Sequence, residues 1–599
     1  MASSKEMDKT GAENIEWNLT DLYPSISSEE LQSDKKKVLK LAEEFKTDYR
    51  GKIEHLNAEL FAEALQKYEG IIEILGKIGS FAHLIWSTNT ESTEYGKLLQ
   101  EANELGSEVS QKLVFFDVEW LKLSDEKADE LIRHENLNPW KHYLRTSRRY
   151  KEHTLTEEAE KVMSAKSVTG RAAWNRFFDE TLGAARFELD GETLTEQEVL
   201  SKLHSPDRDL RKRAHQSLTT TFKKHSRTLT FVFNTILADK STNDKLRNYS
   251  HWLESRNLSN QIDDASVDAL VKAVENKYGI VQRYYKLKTK LLGLDKMFDY
   301  DRYAPLLNST KTISWEESKE MVLSAYGDFN PEMKSIASKF FEENWIDAAV
   351  KPGKRGGAYS AGTVTTVHPY VFMNFEGRLR DVQTLAHELG HGVHQYLSRK
   401  QGELQSSTPL TTAETASVFG EMLVFNRMME NLSDPKEKLA LLISKIDDAI
   451  ATIFRQVSMN RFENEIHHAR RDGGELSTDD FSGYWHKTQH KLYGDSVELT
   501  DEYKLWWCYI PHFLHTPGYV YAYAFGELLV LALYDLYKKS DQKEFSEKYI
   551  ELLEAGGSDW PHKIVAKMGV DITEASFWEN GLQLFEEMIS EAEKLSRSL

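Results

Sequence analysis

A single cysteine, Cys508, in 599 residues leaves no internal disulfide possible, which suits a reducing compartment better than a secreted scaffold. Proline and glycine are sparse, at 12 and 32 residues, so regular elements should outweigh loops. Positive charge is outnumbered, with 76 Lys+Arg against 95 Asp+Glu and a formal charge of −19. A surface of that sign repels a phosphate backbone, which sets aside general nucleic-acid binding and leaves solubility as the plain reading. Long apolar runs are missing as well. The strongest, Phe525 to Tyr537, is interrupted by Glu527 and Asp535 and is too short to cross a bilayer. The opening MASSKEMDKTGAENIEW has no apolar signal-peptide core and is too acidic for a transit peptide. These absences predict a soluble, cytoplasmic protein that binds neither membrane nor nucleic acid; they leave its oligomeric state open.

What is present is material for a large interior. Hydrophobic residues make up 40% of the chain and aromatics 11%, which excludes disorder as the general state. Apolar residues recur at helical spacing over Leu56 to Ile78, Tyr95 to Leu123, Thr156 to Ser167 and Asp264 to Leu292. Asn138-Pro139, Ser205-Pro206 and Asp434-Pro435 read as helix boundaries. No period of 20–50 residues repeats. The fold is expected to be mainly α, with an N-terminal helical region over 1–200 and a catalytic region over 201–599. Lys351 to Asn374, KPGKRGGAYSAGTVTTVHPYVFMN, is the exception, rich in β-branched and aromatic residues. It predicts a small β-sheet against the helix that follows. An edge of that sheet, at Ala358, Tyr359 and Ser360, is the candidate surface for an extended peptide.

That following helix carries the chemistry. In DVQTLAHELGHGVHQYLS, Leu385, Leu389, Val393, Tyr396 and Leu397 form one apolar stripe. His387 and His391 lie four apart, so both imidazoles project from one side of a rigid backbone and can bind one Zn²⁺. Glu388 sits beside the first histidine, where a carboxylate reaches a metal-bound water and serves as general base. Neutral imidazoles leave the ion positive enough to bring the pKa of that water to about 7. Another pair at the same spacing, His486 and His490, lacks the glutamate and is a poor candidate.

A catalytic zinc site needs a third protein ligand and one open position. Downstream, TTAETASVFGEM offers Glu414, 23 residues past His391, and Glu421 seven further on, two helical turns along the same face. Glu414 is assigned as the third ligand and Glu421 as a carboxylate that orients a ligand histidine. The spacing excludes other layouts: a metzincin needs Gly and His where this chain has His394 and Leu397, and the usual later glutamate position holds Leu410 and Thr411.

With HELGHGVH at 387–394, AETASVFGE at 413–421, KRGGAYS at 354–360 and IPHFLHTPGYVYAYAFGELL at 510–529, the chain resembles the metallopeptidases of family M3, in particular the oligoendopeptidase F branch. WNLTDLY at 17–23 and SPDRDLRKRAHQSL at 205–218 extend the resemblance over nearly the whole length. It implies a helical ellipsoid split by a deep substrate channel, one zinc ion per chain, and cleavage of short unstructured peptides at internal bonds. It further implies that His387, His391 and Glu414 bind the metal and Glu388 is the base. His394 becomes a residue near the ligands or the substrate. An oxyanion-stabilising loop falls on 512–523, where His512, His515, Tyr519, Tyr521 and Tyr523 are available; His512 and Tyr519 are preferred, with Tyr523 next. The rival on the same scaffold is a carboxypeptidase or dipeptidyl carboxypeptidase, which needs a cation for the substrate's C-terminal carboxylate; Lys354, Arg355, Arg378 and Arg380 are near in sequence. A non-catalytic helical scaffold would lack the base or the third ligand, and both are present.

Overall fold

Long helices begin where a short polar side chain can take up a free backbone N–H. In the computed structural model, which describes residues 10–167, 169–307 and 312–599, Ser28 caps Leu31, Asn57 caps Leu60 and Ser92 caps Tyr95; each such cap is typically worth about 1 kcal/mol. Residues 1–9 of the stretch read for targeting features lie outside the described residues. The fold is mainly α with a few short strands, and among the described residues no helix is long and apolar enough to cross a membrane. The chain divides into two compact units, each drawn from three separate stretches.

The first unit contains the described residues of Met1–Thr154, Thr310–Met428 and Tyr537–Val570. Helices Glu29–Tyr49, Ala58–Thr88 and Thr93–Lys122 pack on one another through stacked aromatics: Phe61 on Trp120 at 5.2 Å and Tyr68 on Phe116 at 5.0 Å. The predicted sheet forms from β1 (Ile346–Asp347), β2 (Tyr359–Ala361) and β3 (Tyr370–Phe372) in the order β1–β3–β2. Ile346 pairs in parallel with Val371, and Tyr359 antiparallel with Phe372. The central β3 is fully buried, while β2 has, among the described residues, no strand on its outer side. Only β1 lies outside the predicted stretch; two residues are too few for a period to show.

Next comes α1 (Leu379–Ser398), whose Leu385, Leu389, Val393 and Leu397 are buried as the stripe predicts. Each such side chain contributes about 1.5–3 kcal/mol on burial. It packs on helices Trp315–Phe329, Pro331–Glu342 and Gln542–Ala555 and on β2 and β3. The glycines of HELGHG make this fit possible. A Cβ at Gly390 would stand 2.4 Å from the Ala416 carbonyl oxygen at the start of α2 (Thr415–Asn431), and one at Gly392 would meet the Phe340 ring at 2.5 Å. From the other side, Tyr326 donates its hydroxyl to the Ala386 carbonyl at 2.5 Å.

The second unit contains the described residues of Leu155–Ser309, Met429–Leu536 and Asp571–Leu599. Asp207 accepts from the Asp209 N–H at 2.9 Å and starts the 39-residue helix Arg208–Leu246 where the SPDRD segment predicts a beginning. Its core gathers Phe222, Phe233, Trp485, Trp507, Phe513 and the buried Cys508. The helical pattern over Asp264 to Leu292 is not one helix. It breaks at Lys277, φ −105 and ψ 11, into Asp264–Asn276 and Tyr278–Leu291; no proline announces it, and Gly279, two residues on, is the one local signal. A wide π turn, Ile450–Phe454, leads into α3 (Arg455–Gly473), and α4 (Tyr521–Lys539) follows the 512–523 segment.

Candidate active site

Helical periodicity alone brings His387 and His391 together, with ring centres 4.8 Å apart on α1. Tertiary packing supplies the third group: Glu414 Oε2 is 3.4 Å from Nε2 of each histidine. Four ligands at about 2.0–2.1 Å in a tetrahedron stand about 3.3–3.4 Å apart, so these atoms fit the three protein corners of such a site. Among the described residues they are the only group of three or more so placed. His486 and His490, with ring centres 5.9 Å apart, acquire no third ligand there.

Glu414 and Glu421 do not share one helix face. Glu414 ends the short helix Leu410–Ala413 with φ −83 and ψ 0, one residue before α2, while Glu421 lies inside α2. The break turns Glu414 toward both histidines and leaves Glu421 to take His387 from behind, through Nδ1–H to Oε1 at 2.6 Å. That bond directs Nε2 outward with its lone pair available. Ser417, three residues after Glu414 in the same motif, donates its hydroxyl to Glu414 Oε2 at 2.7 Å. Sequence reading passed over this serine, although the i, i+3 spacing was visible.

The protonation of the group follows from burial and mutual charge. Burial would lower His387, yet the Glu421, Glu414 and Glu388 carboxylates outweigh it and raise the imidazole to about 9. Glu414 would rise on burial but is held at about 2 by His391, His387 and Ser417. Glu388, buried beside two other carboxylates, is raised above its ordinary range despite the two histidines. Three carboxylates around two imidazoles make a site whose negative charge a dication would largely offset. His394 is buried on α1 and held neutral, lowered to about 3 by burial and by His391.

A cavity of about 540 Å³ opens over this group, and Ala358, Tyr359 and Ser360 line it together with His387, Glu388 and His391. His394 reaches it as well. Ser360 donates to Gln395 Oε1 at 2.8 Å, tying β2 to α1. Glu403 also lines the cavity, accepting from the Thr365 N–H at 3.0 Å; no motif pointed to it. Of the cations considered for a terminal carboxylate, Lys354 is buried against Asp347 Oδ1 at 2.5 Å and the carbonyls of Ala349 and Met373. Arg355 lies over the Tyr359 ring, and Arg378 pairs with Glu376 at 2.5 Å.

In the second unit, His512, Tyr519 and Tyr523 form one cluster. His512 Nε2 is 3.2 Å from the Tyr523 hydroxyl, and the His512 and Tyr519 rings stack at 6.0 Å. His515 instead pairs with Asp179 at 2.9 Å, and Tyr521 is buried between Asn257 and Asn260.

Known proteins match this chain over most of its length. The family model for peptidase family M3 matches residues 201–584, and that for oligopeptidase F matches 119–187. Oligopeptidase PepF of Bacillus subtilis is 29% identical over 97% of this chain and 87% of its own length. A crystal structure from Chlamydophila abortus superposes with TM-score 0.85 at 25% identity, covering 97% of this chain and 98% of that one. The crystal structure of oligoendopeptidase-F from Enterococcus faecium gives 0.73 at 26% identity, over 95% and 99%. A metal-ready His–His–Glu group and a family match across more than half the sequence lead to one assignment: this chain belongs to peptidase family M3, as a metallo-oligopeptidase of the oligopeptidase F branch.

Proposed function

We propose that the protein is a zinc-dependent oligoendopeptidase that cleaves internal bonds of short, unstructured peptides in the cytoplasm. The observation that carries this reading is the position of Glu414, 3.4 Å from both histidine Nε2 atoms, beside a cavity walled by Glu388 and β2. His387, His391 and Glu414 would hold one zinc ion. When bound, the ion supplies Lewis acidity that acidifies water and polarises a carbonyl. Glu388 takes the proton of the attacking water and returns it to the leaving amine. Its raised pKa suits both halves of that task. Glu421 fixes the tautomer of His387 through the 2.6 Å bond, and the neutral, buried His394 adds bulk and no charge beside the ligands.

The outer edge of β2, at Ala358, Tyr359 and Ser360, offers main-chain groups to an extended peptide, which recognises backbone and not side-chain sequence. His512, Tyr519 and Tyr523 are the donors for the developing oxyanion, and their mutual clustering supports that role. An exopeptidase on this scaffold needs a cation beside this cavity for the terminal carboxylate; of those near it in sequence, Lys354 is engaged by Asp347, which supports endopeptidase action. The proposed division into an N-terminal helical region over 1–200 and a catalytic region over 201–599 has support from family matches over 119–187 and 201–584, and is a division of sequence distinct from the interleaved compact units.

The test is Glu388→Gln with metal analysis and internally quenched peptides blocked at both ends. Retained zinc with lost cleavage is expected; retained cleavage overturns the role of Glu388. Trimming of free-ended peptides alone would replace endopeptidase by exopeptidase.

A further inference from the structure

Two guanidinium groups of the second unit are held by hydroxyls and a carbonyl instead of carboxylates. Asp301 receives Arg208 and Arg211, each at 2.8 Å; Asp299 meets His215 at 3.1 Å; Asp447 receives Lys288 at 2.6 Å. These three carboxylates are thereby taken, and among the described residues the guanidinium groups of Arg302 and Arg455 have no such partner. Arg302, 3% exposed, spends its donors on the Asp299 carbonyl at 3.0 Å and on the hydroxyls of Tyr493 at 2.6 Å and Tyr503 at 3.2 Å. Arg455 donates to the Tyr303 hydroxyl at 3.0 Å and the Tyr509 hydroxyl at 3.4 Å, and its buried Nε–H finds no acceptor in the protein. Neither group has a carboxylate within ion-pair distance among the described residues. Tyr303 joins them, since the Arg302 guanidinium also lies 5.2 Å over its ring.

Cations withdrawn from water without counter-charge are strongly disfavoured. Burial would raise Tyr303, but Arg455 and Arg302 pull it below the usual phenol range. Arg302 is buried behind, whereas Tyr303, Arg455 and Tyr509 are each partly exposed. Each of the two hydroxyls accepts from Arg455 and keeps its own O–H to donate. We propose that Arg455, Tyr303 and Tyr509, backed by Arg302, form a binding site for a small anion: the carboxylate of a peptide or a free inorganic anion.

The peptide source rests on the peptidase reading, so two arms are needed. In the first, full-length protein in chloride-free buffer is titrated with acetate and with chloride, followed by intrinsic fluorescence and by cleavage of a neutral blocked peptide. In the second, kcat/KM is compared for matched peptides ending in carboxylate or carboxamide. Charge-assisted hydrogen bonds of this kind predict a dependence of about tenfold in one arm. Arg455→Gln should abolish that dependence, and Tyr509→Phe should weaken it and stands in if Arg455→Gln fails to fold. Preference for the carboxylate peptide identifies the peptide source; equal response of both peptides to salt identifies a free anion. No response in either arm, or a response unchanged in both variants, overturns the site. If metal-loaded wild type cleaves nothing, the peptidase reading falls, and the fluorescence titration still decides the anion site.

Discussion

Replacing Glu421 by Gln removes a charge while keeping an oxygen that can accept the His387 Nδ1–H. The bond at stake is short, 2.6 Å, between groups about one-quarter exposed, and charge-assisted bonds of this type are roughly twice as strong as neutral ones. Of the influences that raise His387 to about 9, the two through Glu421 come first after the opposing effect of burial. Partners behind a ligand histidine typically govern 10–100-fold in metal affinity, or about 1.4–2.7 kcal/mol. Glu421→Gln is therefore expected near the lower figure and Glu421→Ala near the upper, because alanine also frees the ring to turn. Zinc affinity measured by competition with a chromophoric chelator at fixed pH reads this directly, with circular dichroism as control for the fold. Affinity within twofold of wild type in the alanine variant would refute the orienting role, since Glu421 is the acceptor that holds Nδ1 of His387.

Three further outcomes follow from the same structure. Gly390→Ala drives a Cβ to 2.4 Å from the Ala416 carbonyl, an overpacking expected to cost about 1–3 kcal/mol; an unaltered thermal midpoint would contradict the close helix contact. Tyr523→Phe should lower kcat about 100-fold with little change in KM if its hydroxyl stabilises the oxyanion, and an unchanged kcat removes it from that role. Glu463, buried with one oxygen on the Gly518 N–H at 2.8 Å, is raised to about 8 by burial, which outweighs that bond and the charges of Arg256 and Lys240. A carboxyl raised above its unfolded value of about 4.3 stabilises most at low pH. Its share of stability falls between those two values, by at most about 1.4 kcal/mol per pH unit. Denaturant melts should show Glu463→Gln gaining on wild type from pH 5 to pH 8; parallel curves would count against it.

The sequence by itself determined what short-range periodicity can carry. His387, Glu388 and His391 follow from the 3.6-residue turn, and the burial of Leu385, Leu389, Val393 and Leu397 follows from their stripe. The strands at Tyr359–Ala361 and Tyr370–Phe372 follow from β-branched and aromatic clustering. Local pattern misled where a single non-helical residue intervened: at Lys277, inside an unbroken helical pattern, and at Glu414, which lies just outside the helix that holds Glu421. Long-range facts were left to tertiary structure. Only the close approach allowed by Gly390 brings the α2 entrance to α1 and sets Glu414 at 3.4 Å from both imidazoles. Only packing shows where His512 and Tyr523 part from His515 and Tyr521, which the sequence ranked lower without a contact to decide it. The hydroxyl-held Arg302 and Arg455 are equally invisible in one dimension, because a charge is paired or unpaired according to neighbours that the chain brings from far along its length.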